Sequence, residues 1–225
     1  MFKEFKKAMT EEFEMIDIGL MAYYLGVEVK QLEDGVFIYA KEILKKFKWR
    51  IANQSTHRWN AGSSYQRYNK EEKVDPTLYK SLVGSLWYLT CTRPDLLYAT
   101  GLVSRYMENP TTTHFKAAKR ILRYLKGTID YGLLYSTTND YRLVGYSDSD
   151  WVGDTDDRKS TTGYVFYMED TAFAWMSKKQ PIVTLSTCEA EYVAATFSVC
   201  HAFWLISLLS ELGVATKGDN NYLCG

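Results

Sequence analysis

The residues that could carry chemistry are acidic side chains on two separate segments between residues 143 and 195. Residues 143–151 (LVGYSDSDW) read as a strand with Asp148 inside it, and residues 185–195 (LSTCEAEYVAA) read as a helix start with Glu189 and Glu191. A divalent-metal phosphodiesterase needs carboxylates from separate elements, because oxygen ligands hold the ions that position a phosphate. The order of these segments therefore indicates a candidate metal site.

Asp148 has two explanations. It shares one side of a regular strand with Tyr146 and Asp150. An acid inside an otherwise apolar strand is costly to bury unless a metal ion or a cationic side chain meets it. Acidic residues are most often simply solvated, however, and Asp148 and Asp150 could lie at the wet end of the strand. From the residues alone, metal binding and solubility both stay open.

The two glutamates have a local explanation as well. Ser186 or Thr187 can cap the helix, and the helix dipole favours acids in a first turn, which accounts for at least one of the pair. Glu191 precedes Tyr192 and a run of small apolar residues. This position places Glu191 beside the buried seam of the helix, where it could face the strand that bears Asp148.

Basic residues cluster in two places. The predicted helix from residue 109 to residue 127 has an apolar face and an opposite face with five cations: Lys116, Lys119, Arg120, Arg123 and Lys126. Such a face suits phosphate contact, and a solvated helix face explains it equally well. Lys178, Lys179 and Gln180 offer cations and an amide to a phosphate backbone, or form an exposed turn before Pro181.

The elements that must position these residues follow from periodicity and turn residues. An Asp34-Gly35 turn predicts a hairpin over residues 23–39, and residues 51–70 show no apolar period. Residues 76–107 predict two packed helices, interrupted at residues 92–95. Short strands are predicted at residues 132–135, 143–149, 164–168 and 173–176, followed by a long helix over residues 192–212. Strands followed by a helix indicate an α+β module that begins near residue 130.

Composition sets the broad class. The chain has 225 residues, of which 46% are hydrophobic, and its 27 basic and 27 acidic residues balance. The four cysteines form no CxxC pair, which favours a reducing compartment. The N-terminus lacks the apolar core of a signal peptide, and no run of about 18 apolar residues is evident. The sequence therefore predicts an intracellular chain, cytoplasmic or nuclear, with no membrane-spanning segment and no membrane partner.

Seven ordered motifs make the chain resemble the Pol polyprotein of copia-type LTR retrotransposons. The motifs are LYKSLVGSLWYLT (78–90), TRPD (92–95), AKRILRYLKG (118–127), GYSDSDW (145–151), DRKSTTG (157–163), SKKQ (177–180) and STCEAEY (186–192). The resemblance covers nearly the whole chain. It implies the end of a reverse transcriptase, a connecting segment and the start of a ribonuclease H domain.

The resemblance implies four segments. Residues 1–50 resemble the end of the reverse transcriptase palm, residues 51–72 an irregular linker, and residues 73–130 a helical thumb- or connection-like segment. Residues 131–225 resemble a truncated ribonuclease H-like domain, an incomplete mixed sheet with a packed helix. The Tyr-x-Asp-Asp motif of the polymerase is absent from this sequence, so polymerase activity is not expected.

The resemblance also assigns the acids. In the family, several carboxylates hold two divalent ions, expected to be Mg²⁺, which clamp the scissile phosphate of RNA paired with DNA. Asp148 matches the first-strand aspartate and Glu191 the helix glutamate, with Glu189 as the fallback. A third aspartate is expected after the strand that begins at Asn221, about where the sequence stops at Gly225, and the fourth acid is missing.

Three functions follow as hypotheses. The first is a Mg²⁺-dependent ribonuclease H with little or no turnover from this chain alone, because half of the carboxylates are missing. The second is a non-catalytic nucleic-acid-binding remnant that uses Lys116, Lys119, Arg120, Arg123, Lys178 and Lys179. The third is a structural relic of a transposable element. The expected partners are an RNA/DNA hybrid or another nucleic acid, and other Pol segments encoded by the element.

Overall fold

The structure is a computed structural model that describes residues 7, 9–13, 22–24, 27–39, 72–136, 142–213 and 221–224. The irregular linker predicted for residues 51–72 lies outside these ranges, apart from its last residue. In the first 16 residues, the structure describes residues 7 and 9–13, of which residues 9–12 are helical. The boundaries of the four predicted segments stay predictions.

The first sheet is antiparallel, with the order β1 (Tyr23–Tyr24), β2 (Val27–Leu32), β3 (Gly35–Tyr39) and β4 (Leu133–Ser136). Leu32 pairs with Gly35, so the predicted hairpin is confirmed. A Cβ atom on Gly35 would lie 2.2 Å from the carbonyl oxygen of Tyr135 in β4. Glycine is therefore required here by the close approach of β4.

The helical segment contains α1 (Pro76–Leu89), a 3-10 turn (Pro94–Leu96), α2 (Leu97–Ser104) and α3 (Thr112–Gly127). Asp75 caps α1, since its Oδ1 accepts a hydrogen bond from the Thr77 amide at 2.9 Å. The predicted break between two helices at residues 92–95 is confirmed. Buried apolar side chains from all three helices, among them Leu86, Val103 and Leu122, form one core.

The start of α3 uses a histidine that the sequence left without a role. Thr111 is the N-cap residue, and its amide donates to Nδ1 of His114 at 3.1 Å in a capping box. The His114 ring is buried and stacks on Tyr106, with ring centroids 4.0 Å apart. A histidine at this position therefore replaces the usual glutamate or glutamine and also fills the core.

The second sheet has the order β7-β6-β5-β8, from β5 (Leu143–Ser149), β6 (Thr161–Met168), β7 (Thr171–Lys179) and β8 (Asn221–Cys224). β5, β6 and β7 are antiparallel, and β8 pairs with β5 in parallel. Between β7 and β8 the chain forms α4 (Thr187–Glu211). The helical segment and the two sheets together confirm the predicted α+β class.

α4 packs on one face of the second sheet. Leu143 and Phe166 on this face form a buried cluster with Ala202 and Leu205 of the helix. The buried stripe of α4 is rich in small residues, so the helix lies close to the strands: Ala190, Ala194, Ser198 and Ala202, followed by Leu205 and Leu209. The opposite face of the sheet therefore faces the helical segment.

The prediction that no segment is long and apolar enough to span a membrane is wrong for α4. By length and composition, this 25-residue helix could cross one. The apolar residues of this helix are largely alanines, cysteines and aromatic residues. They do not form a continuous aliphatic run, so the segment is not evident as apolar in the sequence. A buried core helix passes the same test, but only 28% of the apolar window of α4 is buried, through the stripe that packs on Leu143 and Phe166.

Candidate functional site

Asp148 lies on the face of β5 that points away from α4. It pairs across the sheet with Gly163 of β6, and its side chain is exposed. Tyr146 and Asp148 are exposed on one side of β5, as predicted, and Asp150, just after the strand, lines the same cavity of about 820 Å³. Tyr98 of α2 contributes the opposite wall. The candidate acid therefore faces a cleft between the sheet and the helical segment, which we call the acidic cleft.

The acidic cleft has a negative lining. Asp95, Asp148 and Asp150 are among its described lining residues, and no Lys, Arg or His is. Burial raises the pKa of Asp150, and the charge of Asp148 adds to this rise, while a hydrogen bond from the Thr161 amide opposes it. Burial and the charge of Asp150 also raise the pKa of Tyr98. Such a cleft attracts cations, and it repels a phosphate unless a metal ion lies between them.

Asp95 is already paired within this cleft. Nε of Arg93 donates to its Oδ1 at 2.9 Å, and Nη2 donates to its Oδ2 at 2.7 Å. Burial alone would raise the pKa of Asp95, but this bidentate bond and the charge of Arg93 outweigh burial and lower it. The 3-10 turn has no side-chain cap, because Asp95 binds Arg93 instead.

Glu189 and Glu191 have different surroundings. Oε2 of Glu189 accepts a hydrogen bond from the Leu185 amide at 2.6 Å, and the Glu189 amide donates to Oγ of Ser186 at 3.1 Å. Glu189 therefore takes part in the N-terminal capping of α4 through the N-cap residue Ser186 and through Leu185, the residue before it. Glu191 is exposed, and within the described part of the chain it takes part in no hydrogen bond or ion pair. Of the two, Glu191 is the one whose carboxylate is available.

Asp148 and Glu191 lie at the same end of the second sheet, on opposite faces. Lys179, at the end of β7, pairs with Thr161, and Ser149, at the end of β5, pairs with Thr162. The strands β5 and β7 therefore finish at the same end of the sheet. Nε2 of Gln180 donates to Oγ1 of Thr162 at 3.0 Å and to the carbonyl of Ala190 at 2.9 Å. This buried amide fixes the first turn of α4 beside the strand pair that carries Asp148.

The carboxyl end of β8 lies at the same end of the sheet. β8 runs parallel to β5, and Cys224 stands opposite Ser147, one residue before Asp148. Within the described residues, no group of three or more His, Cys, Asp or Glu side chains is arranged to hold a metal ion. The described site therefore offers two carboxylates at one end of the sheet, and the structure records no bond between them.

An ion-pair network next to the site was not predicted. Oδ2 of Asp154 accepts from Nη1 of Arg105 at 2.7 Å and lies 2.5 Å from Nζ of Lys179. Oδ1 of Asp154 accepts from the amides of Asp156 and Asp157. Burial alone would raise the pKa of Asp154, but these bonds and the charge of Lys179 lower it to about 2. Because Arg105 ends α2, Asp154 ties the loop after β5 to the helical segment.

The network changes the interpretation of Lys179 and Gln180. Nζ of Lys179 also contacts Oδ2 of Asp157 at 2.8 Å, so its charge is shared by two carboxylates. Gln180 is buried, so an exposed turn is wrong for this residue, and its amide donates to Thr162 and Ala190 and not to a phosphate. Lys178 is exposed at the end of β7.

The basic face of α3 lies opposite its buried stripe, as predicted. Lys116 and Arg120 are exposed, and Arg123 is half-buried. The ammonium of Lys119 lies over the Phe115 ring, 4.4 Å from its centroid. The four candidate cations on α3 therefore share one side of the helix, with Lys119 engaged by its neighbour.

Comparison with known proteins places the chain among transposon proteins, although no protein-family model matches it. The sequence is 38% identical, over 92% of its residues, to the retrovirus-related Pol polyprotein from transposon RE2 of Arabidopsis thaliana. It is 37% identical, over 94% of its residues, to the corresponding polyprotein from transposon TNT 1-94 of Nicotiana tabacum. The chain spans 14% and 17% of the lengths of these two polyproteins.

A shorter relative matches along most of its own length. The uncharacterized mitochondrial protein AtMg00810 of Arabidopsis thaliana is 34% identical to the chain over 87% of the chain's residues. This match covers 83% of AtMg00810. The segment described above therefore also occurs as most of a separate, much shorter protein.

Proposed function

This chain belongs to the retrovirus-related Pol polyproteins of copia-type transposons, and we propose that it carries half of a ribonuclease H-like metal site. The proposed activity of the complete site is metal-dependent cleavage of RNA in an RNA/DNA hybrid. The chain alone binds a hybrid with the help of Mg²⁺ and does not cleave it. Asp148 and Glu191 are the proposed metal ligands.

The observation that carries the proposal is the Gln180 bridge. Gln180 bonds both Thr162, which pairs with Ser149 of β5, and Ala190, which precedes Glu191 in α4. The two elements that carry the acids therefore meet at one end of the sheet. The strand order supports the proposal as well. A mixed sheet with one helix packed on it is what the family resemblance implies for the ribonuclease H part.

Two carboxylates are too few for two Mg²⁺ ions, and because Asp148 and Glu191 lie on opposite faces of the sheet, the described residues do not enclose one ion between them. Mg²⁺ is usually bound by one or two carboxylates, with waters and substrate phosphates completing its coordination. When bound, such ions activate water and stabilise the leaving oxygen. Asp150 lies near Asp148 in the acidic cleft, but within the described residues no three His, Cys, Asp or Glu side chains are grouped to hold an ion. The part played by the chain itself is to present these carboxylates to the phosphate backbone of a hybrid.

The test is hybrid binding with and without Mg²⁺. We expect Mg²⁺ to tighten the binding of a labelled RNA/DNA hybrid about tenfold relative to EDTA, a change of about 1.4 kcal/mol. Asp148→Asn and Glu191→Gln should each abolish this difference. The matched control is Glu211→Gln, which removes an exposed carboxylate at the far end of α4.

Cleavage is measured in the same samples. Wild-type chain should leave the hybrid intact after prolonged incubation in Mg²⁺, because the site has too few carboxylates for two ions. Rapid cleavage by the purified chain would contradict the proposed inactivity. A Mg²⁺ effect that persists in Asp148→Asn would contradict the proposed ligand.

A second function, metal-independent nucleic-acid binding, is supported by the cations on one side of α3. We expect the double variant Lys116→Gln, Arg123→Gln to reduce the slope of log K against log salt for duplex binding by about two, because each phosphate contact releases about one counterion. The control is Lys80→Gln, an exposed lysine on α1. An unchanged salt slope in the double variant would sink this hypothesis.

A further inference from the structure

A second cavity lies between the ends of β6 and β7 and the side of α4. Its volume is about 340 Å³, and its lining includes Lys159, Thr162, Lys178, Gln180 and Phe197. We propose that this cavity binds one nucleotide, with the phosphate on Lys159 and Lys178 and the base against Phe197. We call it the nucleotide pocket. It is separate from the acidic cleft and goes beyond the proposed metal site.

The charge of the nucleotide pocket is opposite to that of the acidic cleft. Three lysines are among its described lining residues and no acidic residue is. Lys179 is paired with Asp154 and Asp157, whereas Lys159 and Lys178 make no side-chain ion pair with any described residue. Two ammonium groups at one cavity form a site for an anion. Lys159 precedes β6 and Lys178 lies near the end of β7, and both line the same cavity, where a phosphate could contact them together.

The other side chains of the pocket point to a base attached to that phosphate. Gln180 is only 2% exposed, and both protons of its amide are used by Thr162 and Ala190. Its Oε1 is buried and has no partner among the described residues. Buried acceptors are normally satisfied, and a slight opening of the pocket wall would let an exocyclic amino group of a base donate to this oxygen.

Phe197 supplies an apolar wall at the same cavity. The side chain is 44% exposed although it lies on the helix that packs on the sheet. Aromatic side chains of this kind stack on nucleobases without regard to sequence. A volume of about 340 Å³ is near the lower limit of small-molecule sites, which suits one nucleotide and excludes a duplex.

The experiment is a titration of the folded chain with adenosine 5′-monophosphate in EDTA, with heat as the readout. We expect Phe197→Ala to weaken binding about tenfold, as loss of one stacking contact does. Phe203→Ala is the matched control, because this phenylalanine is 68% exposed on the same helix and does not line the pocket. We expect Lys178→Gln to weaken binding about fivefold and to lower its salt dependence, with Lys80→Gln as control.

Inorganic phosphate and a short deoxyadenosine oligonucleotide complete the test. Phosphate should bind at least about tenfold more weakly than the nucleotide, because it reaches neither Phe197 nor Gln180. Tighter binding of the oligonucleotide with the same variant pattern assigns the pocket to a nucleic-acid strand, and weaker binding assigns it to free nucleotide. Equal affinity for phosphate and nucleotide, or equal losses in Phe197→Ala and Phe203→Ala, would overturn the proposal. Because no metal ion or hybrid is present, this result is independent of the test of Asp148.

Discussion

Replacement of Asp154 by Asn is expected to lower the free energy of unfolding by about 3 kcal/mol at pH 7, since breaking a buried ion pair leaves its partners uncompensated. Asp154 is 5% exposed and contacts Arg105 and Lys179 through one oxygen. The amide of Asn cannot neutralise either cation. Urea unfolding followed by tryptophan fluorescence measures the change.

Acidification should erase this difference. The folded pKa of Asp154, about 2, is below its ordinary value of 3.8, so the carboxylate stabilises the fold above pH 3.8. This contribution is lost as the pH falls from about 5 through about 2, and the shift corresponds to about 2.5 kcal/mol. The stabilities of wild type and Asp154→Asn should therefore converge below pH 2.

The control for this prediction is Asp157→Asn. Asp157 shares Lys179 with Asp154, but its side chain is 43% exposed. We expect a loss below about 1 kcal/mol, as for exposed ion pairs. Equal losses in the two variants, or a difference between Asp154→Asn and wild type that is unchanged from pH 7 to pH 2, would show that the network does not hold the loop after β5 against α2.

Replacement of Arg93 by Ala should cost about 4 kcal/mol, the range for a buried charge pair that loses one partner. Arg93 is 3% exposed, and besides Asp95 it donates to both the carbonyl and the hydroxyl of Thr128, at 2.9 and 2.6 Å. It thereby joins the turn between α1 and α2 to the end of α3. Without Arg93, the carboxylate of Asp95 and the carbonyl of Thr128 lose the guanidinium that donates hydrogen bonds to them.

Arg93→Lys separates charge from geometry. A lysine keeps the charge but cannot make the bidentate bond, so we expect it to recover less than half of the loss. Arg142→Ala serves as control, because Arg142 is exposed and its substitution should change stability by less than about 0.5 kcal/mol. Full recovery in Arg93→Lys would show that geometry contributes nothing.

Local features of the site could be predicted from the sequence, and its long-range contacts could not. Alternation in β5 placed Asp148 correctly beside Tyr146, because strand periodicity depends only on neighbouring residues. The family resemblance was confirmed by the transposon relatives. The metal ligands and the nucleic-acid contacts stay predictions.

The missed contacts join residues far apart in the chain. Arg105 and Asp154 lie 49 residues apart, and no local pattern relates them. Gln180 reads as part of an exposed turn because two lysines precede it and a proline follows it, yet its amide is buried by the packing of α4. Such burial depends on the tertiary fold and is invisible to periodicity.

The pairing of β4 with β3 has a consequence for how the chain folds. Gly35 pairs with Ser136, so about a hundred residues separate the two partners. Tyr135 also donates from its hydroxyl to the carbonyl of Ala172, which links the same strand to β7. Contacts of such sequence separation form late, because a long loop must close before they can stabilise anything. During synthesis, β3 therefore leaves the ribosome before β4 exists, and the backbone groups that will pair with β4 have no partner until the helical segment has been made. In this period β3 can pair with a neighbouring chain.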